Sequence, residues 1–214
     1  MTMTNIRVIV VDDHAFTRTT VSDSLRIHGV DVVDACATAS DAIKSAATHN
    51  PDVMVIDLNL GQGPSGLDLA TGLRKKNPNL GIVILTSYSD PRLMSNDLPT
   101  LPQGGLYLVK QEIVETETLA QAVFRAHESA RNTRPISQRS KRLDLTDGQV
   151  DVLRLMSEGL SNSEIARRRG VKEKAIEQTI SRIAKRLEIP AGSELNQRAQ
   201  LVRVYFELTG TQSV

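Results

Sequence analysis

Five short apolar runs, each followed by a stretch long enough for a helix or a long connection, constrain this chain more than any other feature. They lie at 6–11, 30–33, 53–56, 82–85 and 106–109 and are rich in Val, Ile and Leu; β-branched residues of this kind suit a pleated strand. Segments of helical length lie at 15–28, 39–49, 66–76 and 113–130. Strands alternating with helices pair in parallel, and the helices then cover both faces of the sheet. The predicted first domain, 1–130, is therefore α/β: a doubly wound, five-stranded parallel sheet that receives ligands at the carboxyl ends of its strands. One connection fits poorly. Pro99 and Pro102 stand at 90–105, where a crossover helix should run. Asp90 as a cap and Pro91 in the first turn predict about two turns there, ending near Asp97.

A chain of 214 residues has room for a second domain. Residues 131–143 are polar, basic and poor in apolar side chains, which is linker composition. No strand pattern returns beyond them. Thr146 with Gln149, and Ser161 with Glu164, have capping-box spacing, and Gly159 and Gly170 are placed to end the two helices so started. A third helix at 173–187 sets Ile176, Ile180, Ile183 and Leu187 on one face. Its opposite face is polar throughout: Lys174, Glu177, Gln178, Ser181, Arg182 and Lys185. A fourth, at 195–208, repeats the apolar spacing with Leu195, Ala199, Val202 and Phe206. The predicted second domain, 144–214, is all-α with four helices.

The net charge of +1 hides an asymmetry. Up to residue 137 there are 12 basic and 15 acidic side chains, and beyond it 14 and 10, from totals of 26 and 25. The basic half permits a polyanionic partner. Cys36 is the single cysteine, which excludes an internal disulfide and a multi-cysteine metal site. No run of about 18 apolar residues and no basic-then-apolar leader is present, so the expected location is the cytoplasm, away from membranes. His14 reads as a helix-start residue, and His28, His49 and His127 read as surface groups.

The candidate chemistry lies at one sheet edge. Asp12 and Asp13 end the first strand and Asp57 ends the third, so three carboxylates converge if these strands are adjacent. Like charges repel at that range, and a hard divalent cation such as Mg²⁺ resolves the conflict. Thr86 after the fourth strand and Lys110 after the fifth add a hydroxyl and a point positive charge to the same edge. An aspartate there can act as nucleophile toward phosphorus, with the cation and Lys110 offsetting charge on the transferred oxygens.

These residues stand within Val-Asp-Asp-His at 11–14, Val-Ile-Asp-Leu at 55–58, Ile-Leu-Thr-Ser at 84–87 and Tyr-Leu-Val-Lys at 107–110. The four motifs, in this order, resemble the flavodoxin-like receiver domain of two-component response regulators. The resemblance implies that Asp57 is phosphorylated by a sensor histidine kinase. It further implies that Asp12, Asp13, Asp57 and the carbonyl of Asn59 hold Mg²⁺, that Thr86 and Lys110 bind the phosphoryl group, and that Thr86 and Tyr107 shift together as a switch. Leu60-Gly61-Gln62-Gly63, with one extra residue after the acceptor, and the proline-interrupted 91–105 depart from the family pattern.

Residues 145–176 resemble the LuxR-type helix-turn-helix. By that resemblance the third helix enters the major groove of double-stranded DNA, with Lys174, Glu177, Gln178, Ser181, Arg182 and Lys185 as the DNA-binding face and Arg167–Arg169 available to phosphates. By the same resemblance the last helix would pair two copies through Leu195, Ala199, Val202 and Phe206, giving a homodimer when active; the alternative is that this face simply packs onto the core of its own domain. The family usually has Ser or Thr near Lys172, Thr at Ala175, Lys at Glu177 and His at Thr179, and this chain departs at all four. The leading expectation is a transcription factor whose dimerisation and DNA binding respond to phosphorylation. The alternative is a receiver-containing protein-interaction regulator, or a phosphoryl sink, that has lost ordinary DNA binding. An aspartyl-phosphate hydrolase is disfavoured, because such enzymes need a second Asp two residues after the nucleophile and position 59 is Asn.

Overall fold

The computed structural model describes residues 5–131, 143–189 and 196–210. They form two compact units: 5–86 with 98–131, and 87–97 with 143–189 and 196–210.

The first unit is the doubly wound sheet, with β1 (Arg7–Val11), β2 (Asp31–Cys36), β3 (Val53–Ile56), β4 (Gly81–Thr86) and β5 (Leu106–Val109). The strand order is β2-β1-β3-β4-β5 and every pairing is parallel. Helices α1 (Ala15–Ile27), α2 (Ala39–His49), α3 (Gly66–Lys76) and α4 (Thr116–Arg131) complete the unit. Strands β3 and β4 are buried at every residue, as continuous apolar runs require when both faces are covered. Alternate residues divide between the faces. Val8, Val10, Val53, Val55, Val83 and Leu85 share one core with Val21 and Leu25 of α1 and with Leu119, Val123 and Ala126 of α4. Strand β2 lies at the sheet edge and leaves Ala35 exposed. Cys36 is buried, as a small core residue is.

Two helical boundaries differ from expectation. Lys110–Glu112 form a separate 3-10 turn, and α4 begins only at Thr116. Between β4 and β5 the expected two turns shrink to one 3-10 turn, Pro91–Leu93, capped by the Asp90 carboxylate accepting from the Arg92 N–H. A continued helix would need the Leu93 carbonyl for the Asp97 N–H. That carbonyl accepts instead from the Tyr205 hydroxyl, and the Asp97 N–H donates to Ser95 Oγ. His127 also departs from its surface reading: α4 packs it down beside Asp52, leaving it buried at 8 % exposure, with Nε2 3.8 Å from the carboxylate.

The second unit contains α5 (Asp147–Ser157), α6 (Asn162–Arg169), α7 (Glu173–Arg186) and α8 (Gln197–Thr209). Its core joins Val150, Leu153 and Met156 of α5 to Ile165, Ile176, Ile180, Ile183 and Leu201, and it includes Leu93. Thr146 and Gln149 form the reciprocal capping box. Ser161 accepts from the Glu164 N–H, but the Glu164 carboxylate turns to Arg167 rather than back to the cap. Glycines in the left-handed region follow α5 (Gly159, φ 82°) and α6 (Gly170, φ 64°), where a side chain would be strained. Residues 132–142 of the expected linker, and Leu195 of the expected pairing face, lie outside the described residues.

Candidate functional site

Parallel pairing in register sets the acidic edge. Val11 of β1 is level with Ile56 of β3, and Ile56 with Ile84 of β4, so Asp12, Asp57 and Thr86 all emerge at the carboxyl end of the sheet. The Asp12 N–H donates to the Cys36 carbonyl and the Asp57 N–H to that of Val11, extending the ladder by one residue at each strand end. Lys110 follows β5, and its Nζ lies 2.8 Å from Asp12 Oδ2 and 3.1 Å from Asp57 Oδ1. One ammonium thus bridges two carboxylates that are 2 % and 7 % exposed.

The neighbours of this pair are held as well. Asp12 Oδ1 accepts from the His14 N–H at 2.9 Å, and Arg18 donates to the backbone carbonyl of Asp12 at 2.7 Å. His14 sits at the start of α1 as expected. Its Nδ1 lies 2.8 Å from Asp13 Oδ1, so carboxylate oxygens of Asp12 and Asp13 and the imidazole of His14 fall within 4.8 Å of one another. Sequence reasoning did not place that imidazole in the cluster, although its position beside two strand-end aspartates was the available signal.

Glycines let the backbone close around the acceptor. A Cβ on Gly66 would stand 2.0 Å from the Asp57 carbonyl oxygen, so only glycine fits where α3 begins. Gly61 (φ 75°) and Gly63 (φ 122°) make the lengthened turn after Asn59, and a Cβ on Gly61 would lie 3.3 Å from Asp13 Oδ2. The Asn59 side chain accepts from the Gly61 N–H at 3.2 Å and so stabilises that turn.

Burial pushes the Asp57 carboxyl up from its usual range to about 6, with Asp12 adding to the rise and Lys110 opposing it. Burial alone would lower the Lys110 pKa, but Asp57 and Asp12 beside it outweigh that, and the net direction is up. Lys110 thus bridges Asp12 and Asp57, while among the described residues the close metal-ligating group is Asp12, Asp13 and His14, without Asp57; the hard oxygen donors of these aspartates suit Mg²⁺. Thr86 is buried at 1 % exposure and Tyr107, level with Ile84, at 9 %.

The second surface is α7. Ile176, Ile180, Ile183 and Ala184 are buried, whereas Lys174, Glu177, Gln178, Ser181, Arg182 and Lys185 are all exposed. Lys174, Arg182 and Lys185 pair with no described carboxylate. Ser181 donates back to the Glu177 carbonyl at 3.0 Å, so its hydroxyl is partly engaged within the helix. Helix α7 starts at Lys172 without a side-chain cap. The three arginines before it are not equally available: Arg167 pairs with Glu164, and Arg168 lies near Glu158 and Glu164. Arg169 is a structural residue, donating to the Gly148 carbonyl at 2.6 Å and pairing with Asp151.

An acidic edge at the carboxyl end of a doubly wound sheet, in one chain with a helix-turn-helix unit, is the arrangement of a receiver with an effector domain. Residues 8–122 match the response regulator receiver domain, and residues 143–203 match the luxR family of bacterial regulatory proteins. The chain belongs to the response regulator family, in its transcription-factor branch. It is 30 % identical over 199 residues to the nitrate/nitrite response regulator protein homolog of Haemophilus influenzae, covering 86 % of this chain and 91 % of that one. It is 28 % identical over 200 residues to the DNA-binding transcriptional activator DevR/DosR of Mycobacterium tuberculosis, covering 85 % and 88 %. Among solved structures, the RcsB response regulator of Salmonella typhimurium has the same fold, with a TM-score of 0.52, 24 % identity and coverage of 97 % and 100 %.

Proposed function

We propose that this protein is a cytoplasmic, phosphorylation-dependent transcription factor whose acceptor is Asp57. The observation that carries this reading is the Lys110 ammonium held 3.1 Å from Asp57 and 2.8 Å from Asp12 at the carboxyl edge of the sheet. A carboxylate oxygen of Asp57 attacks the phosphorus of a histidine kinase's phosphohistidine, the new O–P bond forms as the P–N bond breaks, and the imidazole leaves with the electron pair. Asp12, Asp13, Asp57 and the carbonyl of Asn59 would hold Mg²⁺, which when bound would neutralise charge on the phosphoryl oxygens. Lys110 exchanges its pairing with Asp57 for the phosphoryl group, and Thr86 donates its hydroxyl to a second oxygen. Thr86 and Tyr107 then shift together, which is the conformational output.

The output unit reads double-stranded DNA through Lys174, Glu177, Gln178, Ser181, Arg182 and Lys185. Lys and Arg supply phosphate attraction, Gln178 suits an adenine edge, and Glu177 suits a cytosine amino group. In the active form two copies pair through α8, where Ala199 is exposed and Val202 and Phe206 are half-buried. Domains 1–130 and 144–214, with 131–143 between them, carry these two roles.

Fluorescence anisotropy with a pool of genomic DNA fragments tests the reading, with and without acetyl phosphate plus Mg²⁺ and with Asp57→Asn as control. Phosphodonor-enhanced, salt-sensitive binding that disappears in the variant is expected. Absence of DNA binding in every state would favour the protein-interaction regulator, whose specific support is the uncapped start of α7 at Lys172 and the acidic Glu177 on its exposed face.

A further inference from the structure

The connection from β4 to β5 leaves the sheet after Thr86, yet residues 87–97 pack into the core and backbone of the second unit. Leu93 is fully buried among residues of α5 to α8. The Ser89 N–H donates to the Leu208 carbonyl at 2.8 Å, and the Tyr205 hydroxyl donates to that of Leu93 at 3.1 Å. An ion pair between the inaccessible Asp90 and the half-buried Arg92 fixes the rest. Asp90, wholly inaccessible, accepts from the Leu143 N–H at 2.9 Å and from Arg92 at 2.7 Å. The Arg92 guanidinium also reaches the carbonyls of Leu143 (3.0 Å) and Leu145 (2.8 Å) and the carboxylate of Asp147 in the first turn of α5 (2.8 Å).

We propose that residues 87–97 are an intramolecular latch that couples the position of Thr86 to the integrity of the α5–α8 unit. Only Ser87, Tyr88 and Ser89 separate Thr86 from the buried Asp90. So short a tether, anchored at Ser89 by a backbone hydrogen bond, has little slack for absorbing movement of Thr86. A largely buried, multiply hydrogen-bonded ion pair tolerates displacement poorly, because a carboxylate or guanidinium pulled out of register is left charged and unpaired. Movement of Thr86 is therefore delivered to the start of α5 rather than dissipated in a free loop. In its signalling role the latch rests on the phosphoacceptor reading of Asp57; its structural role does not.

Hydrogen–deuterium exchange of the full chain, read by mass spectrometry, tests both roles. Arg92→Ala is expected to raise exchange at least tenfold in peptides covering 143–157 and 201–209 while α1 to α3 keep wild-type protection. Unchanged protection of those peptides overturns the latch. Inserting two glycines between Ser87 and Tyr88 leaves the contacts of Asp90, Arg92 and Leu93 in place but slackens the tether. Beryllofluoride with Mg²⁺ should alter exchange at 87–97 and 143–157 in the wild type and fail to do so in the insertion variant, with 57–66 responding in both. An insertion variant that responds like the wild type, or a wild-type response confined to the first unit, overturns the coupling. Should beryllofluoride alter neither unit of the wild type, the phosphoacceptor reading fails and the signalling role with it, while Arg92→Ala still decides the structural role.

Discussion

At the scale of single residues, Asp57 and Gly66 carry the sharpest consequences. Folding raises the Asp57 pKa to about 6, chiefly by burial, so the folded chain binds a proton between about pH 4 and 6 that the unfolded chain has released. Stability contributed by the protonated carboxyl is present below the unfolded value and lost as pH rises through the folded one. Asp57→Asn should therefore stabilise the metal-free protein above pH 6 by on the order of 1–3 kcal/mol, the rise to about 6 being already net of the pairing with Lys110, and by much less near pH 4. Thermal melts in chelator at several pH values give the difference, and a difference independent of pH from 4 to 7 removes the account. Gly66 has the opposite character. Its missing side chain lets α3 start against the Asp57 carbonyl, so Gly66→Ala should cost about 2 kcal/mol or more and weaken beryllofluoride binding by displacing the acceptor's backbone. Urea denaturation and a fluorescence titration check the two effects, and wild-type values in both would show that the backbone can yield. The three aspartates, Thr86 and Lys110 were legible in the sequence because each ends or follows a strand. The place of His14 in the cluster, and the closeness of Gly66 to Asp57, depend on how the following loops fold back.

Among the elements, the strands and most helices were legible because burial on two faces writes continuous apolar runs and burial on one face writes a 3.6-residue period. Caps were half legible. Thr146 and Gln149 satisfy each other's backbone, but Glu164 has a closer claim from Arg167, and spacing alone does not reveal such competition. The start of α7 lacks any side-chain acceptor at Lys172; the Ala175 N–H turns to the Lys172 carbonyl at 2.9 Å instead, and a positive charge stands at the positive end of the helix dipole. Lys172→Ser should stabilise the second unit by about 0.5–1 kcal/mol, read as a raised urea midpoint. A lowered midpoint would mean that Lys172 serves the fold in some other way. The turn at Pro91 stays short for a related reason: Asp90 and Pro91 start it, but the carbonyl needed to extend it is taken by Tyr205.

Over the whole molecule, the charge asymmetry read from the sequence resolves into an acidic edge on the sheet and a cationic face on α7. If that face binds DNA as proposed, log affinity falls linearly with log salt, and Lys185→Ala should flatten the slope by about one unit while weakening all sequences alike. Sequence-selective loss would instead make Lys185 a base reader. Among the described residues no helix is long and apolar enough to cross a membrane. The sequence by itself determined the α/β order, the strand-end aspartates and the amphipathic helices, because these follow from local periodicity and from where a strand must stop. Only the tertiary structure decided where residues 87–97 belong. Pro99 and Pro102 just beyond them exclude an ordinary crossover helix, but the burial of Leu93 and of Asp90 depends on partners 112 and 53 positions away, and no pattern along the chain encodes contacts at that separation.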